Sequence, residues 1–480
     1  MERALDIASA AAWAAHLGAL IVLALYGAHR LWLVALAIRH RKDEPAPPPL
    51  PEALPRVTVQ LPLYNEPAVA VRLLDAVAAL DWPADRLEIQ ILDDSTDETS
   101  ALCAARAAAL AAGGLDVVHL RRADRAGFKA GALEAGRARA RGELFLVLDA
   151  DFVPAPDLLR RVAGHFADPS VGLVQLRWEH LNRDAGALTE IEALLLDGHF
   201  AIEQLARARA GRVFNFNGTA GLWRAAAIAD AGGWHADTLT EDLDLSYRAA
   251  LAGWRFVYRA EAAVPAELPA GMAAFRSQQF RWAKGSVECA RKLLPRVMRS
   301  RLALGARIEA FFHLTHNVPY LATAVVVLAG AATQVAGEGP AWASALQRAT
   351  AGVTALVLGA YCVAAQRALG RRNLWATLVR LPTLVAVTVG ISLGQARAVV
   401  EGAIGLRSGF VRTPKDGLVG RARARRAPAS RGCWLELGAA VALAGVAGSA
   451  LAHAAPIQAS LLALFASGFA WVGGATALGR

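Results

Sequence analysis

The chain has 480 residues, 55% of them hydrophobic, and its mean hydropathy is +0.34. This composition excludes a single soluble domain and leaves room for a globular domain with several membrane-spanning helices. The net charge of +10 does not indicate a nucleic-acid partner, because the Arg residues lie beside apolar segments rather than among aromatic residues on one globular face. The four Cys residues are scattered without a Cys-x-x-Cys pair, which argues against a zinc site or a disulfide framework and fits a reduced, cytoplasm-facing domain.

The first predicted element is a membrane-spanning helix over residues 7–38. No formally charged residue occurs in residues 7–28, and a basic cluster follows at residues 39–42. A cleaved signal peptide would be shorter and would carry its positive charge in front of the apolar run. The sequence therefore predicts a retained helix with its N-terminus outside, a following domain in the cytoplasm, and a stiff Pro-rich linker at residues 45–51.

Short strands and helices alternate from residue 56 onward. The strands are predicted at residues 57–62, 87–92, 116–120 and 144–148, and the helices between them at residues 68–80, 98–112 and 129–140. This alternation predicts a parallel, Rossmann-like sheet. No Gly-x-Gly-x-x-Gly motif follows the first strand, so dinucleotide binding in the manner of dehydrogenases is disfavoured.

Two carboxylates, Asp149 and Asp151, follow the fourth strand. That strand is continuously apolar, as expected of a strand buried on both faces of a parallel sheet, and α/β folds bind ligands at the carboxyl ends of such strands. Two carboxylates separated by one residue can bind a hard divalent cation whose remaining ligands are water and substrate phosphates. Because Asp-x-Asp also occurs in ordinary turns, this interpretation depends on its context.

The end of the second strand carries a further set of polar side chains. Asp94 is predicted to contact the ribose or base of a nucleotide. The neighbouring Ser95, Thr96 and Asp97 are typical of a helix N-terminus, and one of them is expected to cap the helix that follows.

Several motifs, in one order, resemble those of family 2 membrane glycosyltransferases. They read VQLPLYNE at 59–66, LDDSTD at 92–97, GFKAGAL at 127–133, DAD at 149–151, FNGTAG at 216–221, TED at 240–242 and QQFRW at 278–282. The resemblance covers residues 56 to about 300 and is greatest to the cellulose-synthase-like group that makes β-mannan, glucomannan or β-glucan backbones. It implies an α/β fold, with a cytoplasmic GT-A (Rossmann-like) domain and an α-helical transmembrane domain.

The resemblance also implies a division of chemical work. Inverting transfer needs a base on the acceptor side and a cation on the leaving diphosphate. Asp242 is the expected catalytic base, since the N-terminus of the helix that begins there favours an ionised carboxylate. The alternative at this position is helix capping by Thr240 and Glu241. Asp149 and Asp151 are the expected ligands of Mg²⁺ or Mn²⁺.

Substrate binding is predicted for Asn65, Glu66, Asp94, Lys129, Gly218, Glu241, Gln278, Arg281 and Trp282. Gln278 can hydrogen-bond to sugar hydroxyls, Arg281 can neutralise a diphosphate, and Trp282 offers a flat apolar face to a pyranose. The Gln-x-x-Arg-Trp spelling resembles that of processive family members. The alternatives are an Arg and Trp pair at a membrane surface, an ordinary turn at Gly218 and a solvated helix start at Lys129.

Further membrane spans are predicted at about residues 312–336, 349–366, 434–453 and 457–474, which gives five in all. The loop containing Glu338 and Gly339 is expected outside. The apolar run at residues 381–395 is short for a span and is predicted to lie at the interface. If it crossed, giving six spans, the basic stretch at 397–431 would face outward against the positive-inside rule.

Within that stretch, FVRTPK at residues 410–415 resembles the Phe-x-Val-Thr-x-Lys gating loop of processive synthases. Phe410, Thr413 and Lys415 are in register with that pattern, whereas Arg412 stands in place of Val. The alternative is a basic, solvated loop.

The sequence thus predicts a multi-pass protein of the cell (inner) membrane. Its parts are an N-terminal transmembrane helix (1–45), a cytoplasmic GT-A domain (46–305) and C-terminal transmembrane and interfacial helices (306–480) with a cytoplasmic basic loop (397–431). The expected function is inverting transfer of a hexose from GDP-mannose or UDP-glucose to extend a β-linked polysaccharide and export it. The alternatives are single transfer to a membrane lipid, and a transporter or scaffold that only senses nucleotide sugar.

The expected partners are a nucleotide sugar, a growing glycan acceptor and the lipid bilayer, with no nucleic acid. Similarity to the mannan-forming group slightly favours GDP-mannose as the donor. The sequence leaves the oligomeric state open.

Overall fold

The computed structural model describes residues 2–43, 48–336, 341–409, 412–415, 417, 433–453 and 455–479. Parts of the predicted linker, the loop containing Glu338 and Gly339, Phe410 of the gating motif and most of the basic stretch lie outside the described residues.

Seven strands form one mixed sheet in the order β3-β2-β1-β4-β6-β5-β7. The strands are β1 (Val57–Leu63), β2 (Leu87–Asp93), β3 (Asp116–Arg121), β4 (Leu144–Val147), β5 (Val171–His180), β6 (Gly221–Arg224) and β7 (Arg255–Ala266). Strands β1 to β4 pair in parallel, β6 runs antiparallel to both β4 and β5, and β5 pairs in parallel with β7. The predicted parallel sheet over the first four strands is confirmed.

In the part of the chain that the structure describes, ten α-helices precede, alternate with or follow the strands of the sheet as far as residue 298. They are α2 (Ala70–Ala78), α3 (Thr99–Ala112), α4 (Phe128–Arg137), α5 (Leu158–Val162), α6 (Ala187–Gly198), α7 (Leu205–Arg209), α8 (Ala225–Asp230), α9 (Glu241–Leu251) and α10 (Met272–Met298), after α1 (Glu2–Arg39). A π-helical segment, His199–Gln204, joins α6 to α7, and short 3₁₀ turns lie at Ala84–Arg86, Ala163–Ala167 and Arg183–Ala185. The predicted helices between the first four strands are present, with bounds that differ by about three residues at most.

The centre of the sheet is buried on both faces, as the apolar strands predict. Val57, Val59 and Leu61 of β1 are fully buried on one face. On the other face the buried polar side chains of β1 and β2 pair across the strands: the Thr58 hydroxyl donates to Glu88, and Gln60 donates to Gln90. These cross-strand hydrogen bonds satisfy most of the buried polar atoms, although Gln60 Oε1 has no partner among the described residues.

The remaining helices are mostly apolar. They are α11 (Leu304–Leu314), α12 (Val318–Ala336), α13 (Ala341–Ala368), α14 (Leu374–Ile404), α15 (Trp434–Ala452) and α16 (Pro456–Ala477). All but α11 have 19 or more residues. Among the described residues, five helices are long and apolar enough to cross a membrane: α1, α13, α14, α15 and α16. The segment predicted as a single span at residues 312–336 is instead a pair, α11 and α12, bent by 53°, and would be a sixth span if the pair crosses.

The prediction of a short apolar helix at residues 381–395 is wrong, because α14 has 31 residues. Pro382 lies inside this helix rather than at its start. Both ends of α14 contact the α/β domain, since Arg380 Nε lies 2.7 Å from Glu190 Oε2 and Glu401 Oε2 lies 3.2 Å from Lys284 Nζ. Its length would allow it to cross a bilayer. The expected interfacial position, which rested on a short apolar run, stays a prediction.

Candidate active site

The candidate site lies at the edge of the sheet where the parallel strands β1, β2 and β4 end. Their carboxyl ends share one edge, so the segments that follow them meet there. These segments and parts of α9 and α10 line a cavity of about 190 Å³. Of the residues predicted for the site, it is lined by Glu66, Asp94, Lys129, Asp149, Asp151, Gly218, Glu241, Asp242, Gln278, Arg281 and Trp282.

Asp149 and Asp151 each face a lysine. The Asp149 side chain is 35% exposed, and its Oδ1 lies 2.5 Å from Lys129 Nζ. Asp151 is 1% exposed, and its Oδ2 accepts hydrogen bonds from Lys415 Nζ and from the backbone N–H of Glu267, both at 2.9 Å. The other oxygen, Asp151 Oδ1, is buried and has no hydrogen-bond partner among the described residues.

These residues fit a divalent cation. A carboxylate oxygen buried without a partner is costly, and hard oxygen ligands are those that Mg²⁺ and Mn²⁺ prefer. The two ammonium groups show that this part of the cavity favours positive charge. Asp149 and Asp151 are therefore the residues that would hold a cation here.

A second acidic cluster, formed by His235, Asp237 and Asp244, has its ligand atoms within 4.8 Å of one another. The Nζ atom of Lys292 lies 2.8 Å from both carboxylates, and Arg248 Nε lies 2.7 Å from Asp244, so two cations already balance the two carboxylates of this cluster. It lies outside the residues that line the cavity.

Lys129 connects the two halves of the site. Its ammonium group donates to the backbone carbonyl of Gly218 at 2.9 Å and lies 4.0 Å from Glu241 Oε1. Burial alone would lower the pKa of Lys129, but the charges of Asp149 and Glu241 outweigh it and raise the pKa. The lysine therefore stays charged inside the cavity, which argues against the alternative of a solvated helix start.

Asp242 lies in the first turn of α9, as the sequence predicts. Burial and, secondarily, the charge of Glu241 raise the pKa of Asp242 to about 7. Burial also raises the pKa of Glu241. A carboxyl group that titrates near neutral pH can accept and release a proton during turnover.

The capping alternative at the start of α9 finds little support. The Thr240 side chain makes no capping hydrogen bond. Its hydroxyl instead lies 3.4 Å from Cys289 Sγ on α10.

The backbone conformation at residue 218 requires a glycine. Its φ is +81°, and a Cβ atom there would lie 3.1 Å from Asp242 Oδ2. Only glycine adopts such a φ without cost. The turn is thus a close approach of the backbone to the candidate base, beyond an ordinary hairpin turn.

The helix α10 presents Gln278, Arg281 and Trp282 to the cavity from one face, as the spacing of three and four residues predicts. Gln278 Oε1 is buried with no hydrogen-bond partner in the part of the chain that the structure describes. Arg281 Nη2 donates to Thr413 Oγ1 at 2.8 Å. Burial lowers the pKa of Arg281 to about 10, so the guanidinium remains charged at neutral pH.

Of the predicted site residues that follow β1 and β2, Asp94 lines the cavity and Asn65 does not. Asn65 does not line the cavity: its Oδ1 accepts from the backbone N–H of Thr96 at 2.8 Å, so it ties the two loops together. Asp94 lines the cavity, but its carboxylate is held by the guanidinium of Arg122, with Oδ1 2.9 Å from Nε. Asp97, one of the predicted caps, accepts from the backbone N–H of Thr99 at 3.0 Å.

Three residues of the gating motif, Arg412, Thr413 and Lys415, line the cavity. Arg412, which departs from the family pattern, lies 2.5 Å from Glu66 Oε2 as an ion pair without hydrogen-bond geometry. Burial raises the pKa of Glu66 to about 7, although Arg412 and Lys415 oppose this shift. These contacts argue against a merely solvated basic loop at residues 412–415.

Trp178 on β5 and Glu192 on α6 are among the lining residues of the cavity that the sequence did not predict. Neither belongs to a motif that the sequence analysis singled out. A weak signal existed in Glu192, which is an acidic residue among apolar neighbours on the predominantly buried helix α6.

The sequence model of the family described as "Glycosyltransferase like family 2" matches residues 55–285, the part of the chain that builds this site. Residues 55–285 are thus similar to glycosyltransferase family 2 domains. The family resemblance predicted from the motifs is therefore confirmed.

Plant proteins resemble this glycosyltransferase domain in sequence. Glucomannan 4-beta-mannosyltransferase 2 of Arabidopsis thaliana is 42% identical over 252 residues, which cover 52% of this chain and 47% of that protein. Glucomannan 4-beta-mannosyltransferase 1 of Oryza sativa subsp. japonica is 40% identical over 272 residues, covering 55% of this chain and 52% of that protein. The chain thus spans about half the length of these curated relatives.

A solved structure resembles the glycosyltransferase domain in fold. Mannosyltransferase PcManGT from Pyrobaculum calidifontis, determined in complex with GDP-Man and Mn²⁺, matches with a TM-score of 0.56 and 23% identity, over 84% of this chain and 100% of that chain. The likeness shows the fold, and it confirms the predicted GT-A architecture with apolar helices at its C-terminal side.

Proposed function

We propose that this protein is an inverting hexosyltransferase that transfers mannose from GDP-mannose to a growing β-linked glycan at a membrane. The observation that carries the proposal is that one cavity holds both the Asp149 and Asp151 pair and a partly buried Asp242 whose pKa lies near 7. Asp149 and Asp151 would hold a cation that binds the leaving diphosphate. Asp242 would accept the proton of the attacking hydroxyl group. Inverting transfer needs both in one place.

The choice of donor rests on the relatives. The plant proteins at about 40% identity are named glucomannan 4-beta-mannosyltransferases. The archaeal mannosyltransferase was solved with GDP-Man and Mn²⁺. These names favour GDP-mannose over UDP-glucose and a divalent metal, Mg²⁺ or Mn²⁺, as the cofactor. When bound between Asp149 and Asp151, such a metal would neutralise charge that develops on the leaving diphosphate.

The side chains of the cavity then have distinct tasks. Asp242, in its ionised form, accepts the proton of the acceptor hydroxyl as that oxygen attacks the anomeric carbon. Lys129 and Arg281 hold positive charge toward the phosphates, and the Lys129 contact to Gly218 fixes its position. Gln278 offers a free amide oxygen to sugar hydroxyls, and Trp282 offers its ring face to a pyranose. Attack from the side opposite the diphosphate inverts the configuration.

We further propose that the domain faces the cytoplasm and that the long apolar helices let the product leave across the cell membrane. Five helices have the length and composition of spans, among the residues that the structure describes. Basic residues at 296, 299, 301 and 307 precede α12 and, by the positive-inside rule, favour a cytoplasmic position for that end. Transfer of a single sugar to a membrane lipid is the competing outcome of the same site.

The decisive experiment offers radiolabelled GDP-mannose and UDP-glucose separately to membranes that contain this protein, with and without Mn²⁺, and sizes the product. We expect a metal-dependent, mannose-labelled polymer from GDP-mannose. A short product that extracts into organic solvent would replace polymer synthesis by single transfer to a lipid. If neither donor is incorporated, the proposed activity is wrong. The Asp242→Asn variant is the matched control, since a non-enzymatic scaffold would tolerate that change.

A further inference from the structure

One wall of the cavity, formed by β5 and α6, carries buried polar atoms that lack partners. Both carboxyl oxygens of Glu192, the ring Nε2 of His180 and the indole Nε1 of Trp178 line the cavity or its wall without a hydrogen bond to any described residue. The nearest carboxylate to His180 Nε2 is Asp197 Oδ1, at 4.0 Å. Buried polar groups are nearly always satisfied, so several unsatisfied ones on one wall indicate a polar ligand that satisfies them.

Glu192 differs from the other buried carboxyl groups of this domain. Glu88 is paired with Arg141 at 3.1 Å, and Asp197 is paired with Arg183 at 2.6 Å. Glu192 is 1% exposed and has no such cation in contact among the described residues. A carboxyl group that only stabilised the fold would be expected to have a partner.

The side chains of this wall indicate which class of ligand it binds. Burial raises the pKa of Glu192 to about 8, although Lys415 opposes the shift, so at neutral pH the group is mainly a carboxylic acid that can both donate and accept. This suits uncharged hydroxyl groups better than a phosphate or a cation. Beside it, the rings of Trp178 and Trp282 lie 6.5 Å apart at an angle of 56°. Indole faces pack against the carbon-bound hydrogens of sugars.

We propose that Glu192, with Trp178, forms a binding subsite for a hexopyranose unit of the acceptor glycan. The proposal rests on the proposed function, because it extends the acceptor side of the same cavity. Glu192 acts as a positioning residue: it holds the chain by hydrogen bonds to sugar hydroxyls, while Asp242 acts on the attacking hydroxyl.

The first test measures binding without any donor. The full chain in detergent micelles is titrated with β-1,4-mannohexaose and with cellohexaose, and the fluorescence of the tryptophans is followed. We expect Glu192→Leu to weaken binding by about tenfold, as for loss of a buried hydrogen bond, and Glu192→Gln to stay close to wild type. Glu190→Gln, on the same helix but in an ion pair with Arg380, is the matched control.

Thermal melting separates binding from a structural role. Because Glu192 has no hydrogen-bond partner in the described part of the chain, its replacement by Leu should leave the melting temperature unchanged or raise it. Glu192→Met serves in the same comparison if the Leu variant does not fold. In transfer assays, the KM for the oligosaccharide should rise by about tenfold while the KM for GDP-mannose stays within about twofold.

The two proposals fail in different ways. If the wild type binds neither hexaose, or if Glu192→Leu and Glu192→Met bind as the wild type does, the subsite is wrong even where mannose transfer is observed. If a hexaose binds in a manner that depends on Glu192 but no donor is used, the subsite stands and the proposed transferase activity falls.

Discussion

The Nζ atom of Lys415 lies 2.9 Å from Oδ2 of Asp151, although the two residues are 264 positions apart in the chain. Two positions earlier, Thr413 accepts a hydrogen bond from Arg281 at 2.8 Å. The segment after α14 is thus bound to the candidate metal site and to α10 at the same time. Because an ammonium group holds an oxygen that a cation would use, a cation and Lys415 compete for Asp151.

We therefore expect Lys415→Ala to tighten binding of Mn²⁺ in the absence of donor by roughly threefold or more, since a competing positive charge has been removed. Electron paramagnetic resonance titration of free Mn²⁺ measures this directly. Lys415→Arg, which keeps the charge, should bind Mn²⁺ as the wild type does. Equal affinity in the wild type and the Ala variant would show that Lys415 does not compete with the metal.

Asp242→Asn removes the proposed base with little change in shape. We expect the rate of sugar transfer at saturating substrate to fall by about 10³-fold, the usual scale for loss of a general base. The affinity for GDP-mannose and the melting temperature should change little, because the donor contacts other groups. A variant that keeps more than a tenth of the wild-type rate would rule out Asp242 as the base.

The raised pKa of Asp242 predicts how the rate of sugar transfer changes with pH. Burial and the nearby Glu241 bring this pKa to about 7. Only the ionised carboxylate accepts a proton, so the rate at saturating substrate should increase with pH below about 7 and level off above it. Initial rates from pH 5.5 to 8.5 test this, and a rate that falls over the lower half of that range contradicts it.

Gly218→Ala should lower the rate of transfer by about tenfold or more, because the new Cβ would meet Asp242 Oδ2 at 3.1 Å and displace the base. Gly211→Ala is a matched control, since Gly211 also has a positive φ, of +64°, but no described atom within 4 Å of a Cβ. Both changes cost about 1–2 kcal/mol of backbone strain. Equal activity of the two variants would mean that Gly218 serves only the turn.

Much of the candidate site could be predicted because it depends on local pattern. The continuously apolar β4 places Asp149 and Asp151 at the end of a buried strand, and parallel pairing brings the ends of β1, β2 and β4 together. The helical spacing of Gln278, Arg281 and Trp282 puts them on one face of α10 by the same kind of rule.

Other residues could not be found in this way. Asn65 stands within a predicted motif, yet it bonds the neighbouring loop at Thr96 and does not line the cavity. Trp178 and Glu192 line the cavity from β5 and α6, although their neighbours in sequence give no motif. Arg412 departs from the expected pattern, and only the fold shows that it faces Glu66.

The sequence by itself determined the class of the fold, the bounds of its first four strands and the order of the motifs, because strand and helix periodicity and turn chemistry act over a few residues. Tertiary structure alone decided which distant groups meet. Lys415 contacts Asp151, Lys129 lies between Asp149 and the Gly218 carbonyl group, and Glu192 has no hydrogen-bond partner among the residues that the structure describes. Such contacts join residues many positions apart, and the burial that sets the pKa of Asp242 and Glu192 arises only when the elements pack.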